Sequence, residues 1–213
     1  MTPELRVSID EVYAAFADVR KPDDIVVCPC CMEPTEVKVL LSKKLKELTP
    51  DELSKYGSKV FNTVGDIPDF LYFLPRLLEI VVTNPDWWPN PEVLLPKLKK
   101  AGFLDWPERR CAAVRNFLEV AFYDVMTRAS SEWEFDSWIC ALGLFFGDVS
   151  PYLRQLENRP ALFRAYYEEN SECLSKGNLT NSFWEENPAA LRQVLDWFSS
   201  PKIKNMIKEV YGL

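Results

Sequence analysis

The chain has 213 residues, a formal charge of −7 and no histidine, so mechanisms that depend on imidazole, including the Ser-His-Asp triad and histidine-ligated metal sites, are excluded. Hydrophobic residues make up 47% and charged residues 27%, the balance of an ordinary globular protein rather than a disordered or fibrous one. The acidic excess disfavours nucleic acid and anionic lipid as partners, because both are bound mainly by neutralising phosphate charge.

Sixteen prolines against seven glycines favour helices, since proline is welcome in the first helical turn while phosphate loops and hairpin turns require glycine. No apolar leader follows Met1-Thr2-Pro3-Glu4-Leu5-Arg6, and the longest apolar runs, such as 139–146, fall well short of the about 20 residues of a membrane span. A cytoplasmic location is expected.

Ser8-Ile9-Asp10-Glu11 has the form of a capping box and predicts a helix from there to about residue 20. Residues 21–35 form a Pro- and Cys-rich connection, and the only weak strand signals are 25–27 and 36–40. Thr49-Pro50-Asp51-Glu52 opens a helix to about residue 64, with threonine as cap and proline at the first helical position. Asp66 caps a helix over 67–82 whose Phe70, Leu71, Phe73, Leu74, Leu77, Leu78 and Val81 cover most of its circumference. That helix is expected to be central, with a bend at Pro75.

Residues 83–90 are a Trp- and Pro-rich connection, and Asn90-Pro91 starts the next helix. Over 107–128, Val114, Phe117, Leu118, Ala121, Phe122 and Val125 recur at i, i+3, i+4 and i+7, the strongest helical pattern in the chain. Further helices are predicted at 134–147, 151–157, 160–175, 188–198 and 201–210, each opened by a polar cap or an early proline. The expectation is an all-α single domain over 1–213, an irregular HEAT-like array or orthogonal bundle of about eight to ten amphipathic helices packed mostly as antiparallel pairs.

Cys28-Pro29-Cys30-Cys31 is the most conspicuous cluster. Cys28 and Cys31 have the C-x-x-C spacing that grips zinc or carries dithiol chemistry. A closed zinc site needs four ligands, so Cys30, Glu33 or one of the distant Cys111, Cys140 and Cys173 would have to complete it; a structural loop of packed, reduced thiols is the alternative. Carboxylates group at Glu132/Glu134/Asp136, Glu168/Glu169/Glu172 and Glu185/Glu186, where solvated faces and helix-start charge account for them. Seven tryptophans are many for this length; most are expected to fill the core, with Trp87-Trp88, set among prolines, as the exposed pair.

Cys28-Pro29-Cys30-Cys31, Leu48-Thr49-Pro50-Asp51-Glu52-Leu53-Ser54-Lys55-Tyr56 and Phe73-Leu74-Pro75-Arg76-Leu77-Leu78-Glu79 follow one another in an order that resembles a widespread family of uncharacterised bacterial proteins. In that family a cysteine-bearing segment precedes an LTPDDLSRY-like helix and a GD…DF…FLPRLLEL-like helix. The resemblance implies a bacterial, cytoplasmic, single-domain protein and no particular activity. Members carry histidine near the cysteines and ahead of the FLPR segment, where this chain has Cys30 and Tyr72.

With no nucleophile motif, phosphate loop or dinucleotide fingerprint, the functional expectation is a binding protein without catalysis or cofactor. Its most concrete form is an immunity or antitoxin-type protein that covers a basic toxin domain with an acidic, Trp-rich surface: Trp87, Trp88, Glu132, Glu134, Asp136, Glu168, Glu169, Glu172, Glu185 and Glu186. The alternative is a zinc-binding or thiol-regulated protein built on Cys28, Cys30 and Cys31.

Overall fold

The computed structural model describes residues 1–128 and 132–212, with the side chain of Glu132 outside the description. It is all-helical, as the sequence implies, and no strand forms among the described residues. The chain divides into two compact units, Met1–Val125 and Met126–Leu213.

Unit 1 begins with α1 (Pro3–Ala15), α2 (Pro34–Ser42), α3 (Pro50–Lys59) and α4 (Ile67–Thr83). The short α5 (Pro91–Leu94) and α6 (Pro96–Lys100) follow, and then most of α7 (Glu108–Arg128). The expected central helix is α4, which packs against α1 and α3. It buries Phe70, Phe73, Leu74, Leu77, Leu78 and Val81, with Leu5, Ile9 and Val12 of α1 and Leu53 and Tyr56 of α3 also in the core. A polar clasp fixes the α1–α4 pair: the Tyr13 hydroxyl donates to Glu79 at 2.6 Å, and Arg76 pairs with Glu79 at 2.7 Å while its Nε donates to the Leu48 carbonyl.

Three local readings are corrected. α1 starts at Pro3, because the Thr2 hydroxyl already accepts the Leu5 N–H and proline occupies the first helical position; Ser8 lies inside, its hydroxyl donating to the Leu5 carbonyl, and the helix ends at Ala15 rather than residue 20. Residues 36–40 belong to α2, opened by a reciprocal box between Glu33 and Glu36. α3 stops at Lys59, where Phe61 turns to a positive φ of 69°, and the buried Lys97 ammonium donates to the last carbonyls of the helix end, Ser58 O and Val60 O. Burial holds that ammonium down to about 8.

Unit 2 holds α8 (Glu132–Phe146), α9 (Ser150–Leu156), α10 (Pro160–Leu174), α11 (Pro188–Ser199) and α12 (Pro201–Tyr211). Their starts follow the proline and polar-cap signals: Asn187 accepts from Ala190 N–H, and Ser200 accepts from Ile203 N–H. α8 packs against α10 and α11, with Phe135, Trp138, Ile139 and Leu142 buried. Gly143 permits the closest approach, since a Cβ there would stand 2.7 Å from Val149 Cγ1. No helix among the described residues is long and apolar enough to cross a membrane.

Candidate functional site

The cysteine segment is a turn held from both sides. Pro29 fixes φ at the second turn position, and Cys31 N–H closes the turn onto the Cys28 carbonyl at 2.8 Å. Ahead of it, residues 25–27 form no strand of their own; Val27 makes an isolated antiparallel bridge to Val64, flanked by Cys28 N–H to Thr63 O and Gly65 N–H to Val26 O, both 2.8 Å. Ile25 before the turn and Met32 after it are core residues, 2% and 1% exposed, and the Glu33 box then starts α2. None of these anchors uses a cysteine side chain, so the three thiols are left free of structural duty.

Those thiols converge. Their sulfur atoms lie within 4.8 Å of one another, Cys28 and Cys30 at 2.8 Å and Cys30 and Cys31 at 3.7 Å. Cys30 is exposed at the tip and the other two are half-buried. The hydrogen bond from Cys30 pulls the Cys28 thiol below its usual range, and the same contact pushes Cys30 up to about 11. Cys30 is therefore the third member of the cluster, whereas Cys111 is buried and donates to the Phe103 carbonyl at 3.1 Å. Among the described residues neither Glu33 nor any other carboxylate or cysteine joins the group.

A second feature of unit 1 is an open cleft of about 530 Å³ at the Trp-rich connection, with Pro50, Asp51 and Ser54 of α3 on one side and residues 83–88 on the other. Trp87 and Trp88 part company here. Trp87 is 8% exposed and its Nε1 donates to the Pro50 carbonyl at 2.8 Å, which corrects its expected exposure: an indole with a backbone acceptor in reach can be buried without an unpaired N–H. Trp88 is 53% exposed. Gly57 of α3 makes room for the following Pro89, whose ring would crowd a Cβ at 3.1 Å. Asp51 and Asp86 are exposed at the cleft, and no cationic side chain lines it among the described residues. Sequence reading passed over these two carboxylates because residues 51 and 86 meet only through the packing of the connection onto α3.

The expected acidic surface of unit 2 is partly internal. Glu134 is 3% exposed and ion-paired with Arg128 at 2.9 Å. Asp136 is 4% exposed and accepts the Trp184 Nε1–H at 3.2 Å, with Asn181 and Tyr166 also facing it; burial pushes its carboxyl up to about 6. A docking surface cannot include either group, and their burial follows from partners supplied within the unit. Glu168, Glu169, Glu172, Glu185 and Glu186 are exposed. Glu168 is engaged by Arg164 at 2.8 Å and by the Tyr211 hydroxyl, and Glu185 accepts from Asn178. The Glu132 side chain lies outside the described residues.

No protein-family model matches the chain, and no curated protein or solved structure is significantly similar to it.

Proposed function

We propose that the chain is a metal-binding protein without a catalytic centre of its own, and that Cys28, Cys30 and Cys31 hold the ion. The observation that carries this reading is the convergence of three sulfurs within 4.8 Å on one turn. Sulfur ligands around a tetrahedral zinc ion with Zn–S bonds of about 2.3 Å stand roughly 3.8 Å apart, a spacing within the 4.8 Å that spans these three sulfurs. A thiol gathering needed only for packing would be covered; this one is exposed at Cys30. The test is elemental analysis of protein purified under reducing conditions. Stoichiometric metal that disappears in Cys28→Ser and Cys31→Ser supports the reading, and a wild-type chain that takes up no metal even when zinc is supplied removes it.

A second reading, capture of a basic protein partner, is favoured by the cleft beside Trp88. An exposed indole next to two carboxylates and no lining cation suits a lysine or arginine side chain, which gains from the ring face as well as from charge. An immunity or antitoxin-type role would be one use of such a cleft. It predicts that an arginine-bearing peptide quenches Trp88 fluorescence in a salt-dependent manner, and that Trp88→Ala and Asp86→Asn each weaken the binding. Equal binding by both variants would place the contact elsewhere.

A further inference from the structure

Resting on that reading, we infer that the Cys28-Pro29-Cys30-Cys31 turn is an open three-sulfur site for a thiophilic ion satisfied by three ligands, with monovalent copper as the class it fits, rather than a closed structural zinc site.

The first argument is the donor count. All donors come from residues 28–31, the chain contains no histidine, and among the described residues no carboxylate or further cysteine reaches the cluster. Structural zinc is almost always held by four protein ligands. Here a zinc ion would depend on water or another exogenous group for its fourth position. Thiolates select soft ions such as Cu(I), for which three sulfurs make a complete shell.

The second argument is that the turn owes nothing to an ion. A structural zinc supplies the folding energy of a segment that has no other means of holding its shape. This turn has its own means: Cys28 N–H bonds Thr63 O, Cys31 N–H bonds Cys28 O, and Ile25 and Met32 sit in the core on either side. The turn is preformed, and occupancy of the site is separable from folding.

The third argument is access. Cys30 projects at the exposed tip beside the exposed Pro29, so an ion can enter and leave without the fold opening. The 2.8 Å between Cys28 and Cys30 is closer than two sulfurs bound to one ion, and rotation of the exposed Cys30 side chain to another staggered position opens it. Binding forms three S–Cu bonds and breaks three S–H bonds. The three protons go to the buffer, and copper enters and stays as Cu(I), so no electrons are transferred.

The test uses the full-length reduced protein under anaerobic conditions, with Cu(I) offered from a competing chelator and Zn(II) offered in a parallel titration. One Cu(I) per chain is expected, with three sulfur neighbours by X-ray absorption, and Zn(II) is expected to be lost to a mild chelator. Removing one ligand by Cys30→Ser should weaken Cu(I) binding by more than the ~100-fold that outer-shell changes reach. The metal-free protein should keep its helical circular dichroism and cooperative melt. Tight zinc held by four protein ligands, or a metal-free chain that has lost its melt, overturns this inference while leaving metal binding intact. If Cu(I) and Zn(II) both bind the Cys28→Ser/Cys30→Ser/Cys31→Ser chain as well as the wild type, the metal-binding reading falls with it.

Discussion

Two polar clusters, one in each compact unit, have opposite fates. In unit 2, Asp136 and Glu134 are drawn inside and matched by Trp184 and Arg128. In unit 1, Cys28, Cys30 and Cys31 gather at the surface while backbone bonds and the buried Ile25 and Met32 hold the turn that carries them. The difference separates two uses of polar residues. A buried group with its partners is part of the fold, and disturbing it costs stability; an exposed cluster on an independently anchored turn can change with little effect on the fold and is available to a ligand.

Substitutions can break or sharpen that contrast. The largest effect belongs to Trp184→Ala, which opens a cavity around a side chain only 1% exposed and strips Asp136 of a donor. It should cost about 4 kcal/mol in denaturant unfolding.

Asp136→Asn should act through pH. The carboxyl titrates at 3.8 when unfolded and about 6 when folded, so across that interval the folded state holds the extra proton and stability falls as pH rises. The buried charge then costs roughly 3 kcal/mol at neutral pH, and asparagine, which still accepts from Trp184, removes that part of the slope. Thermal melts from pH 4 to 7 read this directly. Asp69 of unit 1, pushed up to about 6 by burial, retains a slope of the same sign in the variant.

The tryptophan pair gives a smaller and internally controlled comparison. Trp87→Ala should cost about 3 kcal/mol, for lost burial and the lost hydrogen bond to the Pro50 carbonyl. Trp88→Ala should stay within about 0.5 kcal/mol, as surface changes do. Likewise, Cys30→Ser in the metal-free protein should leave the free energy of unfolding unchanged within about 0.5 kcal/mol. A loss there of several kcal/mol would mean that the thiols belong to the fold after all.

The helices of unit 2 were legible because each opens with a short-range signal, such as Asn187-Pro188 or Ser200-Pro201, followed by 3.6-residue periodicity. α4 was legible for the same reason, with Asp66 as cap and an apolar circumference. α2 was not, because Val37 and Val39 alternate with Glu36 and Lys38 like a strand, and the capping carboxylates Glu33 and Glu36 decide the matter. The burial of Trp87 and Asp136 was invisible for a different reason: their partners, Pro50 and Trp184, stand 37 and 48 residues away in sequence. The thiol cluster lies within four consecutive residues, so its convergence was partly legible, but the membership of Cys30 depended on a turn geometry that spacing alone leaves open.

The most direct test of the central claim is a stoichiometric metal titration of the reduced full-length chain beside the Cys28→Ser/Cys30→Ser/Cys31→Ser chain, with melting followed on the same samples. One tightly bound ion on the wild type, none on the variant and matching melts of the two metal-free proteins are the predicted result. Equal uptake by both chains, or a variant that no longer folds, would contradict it.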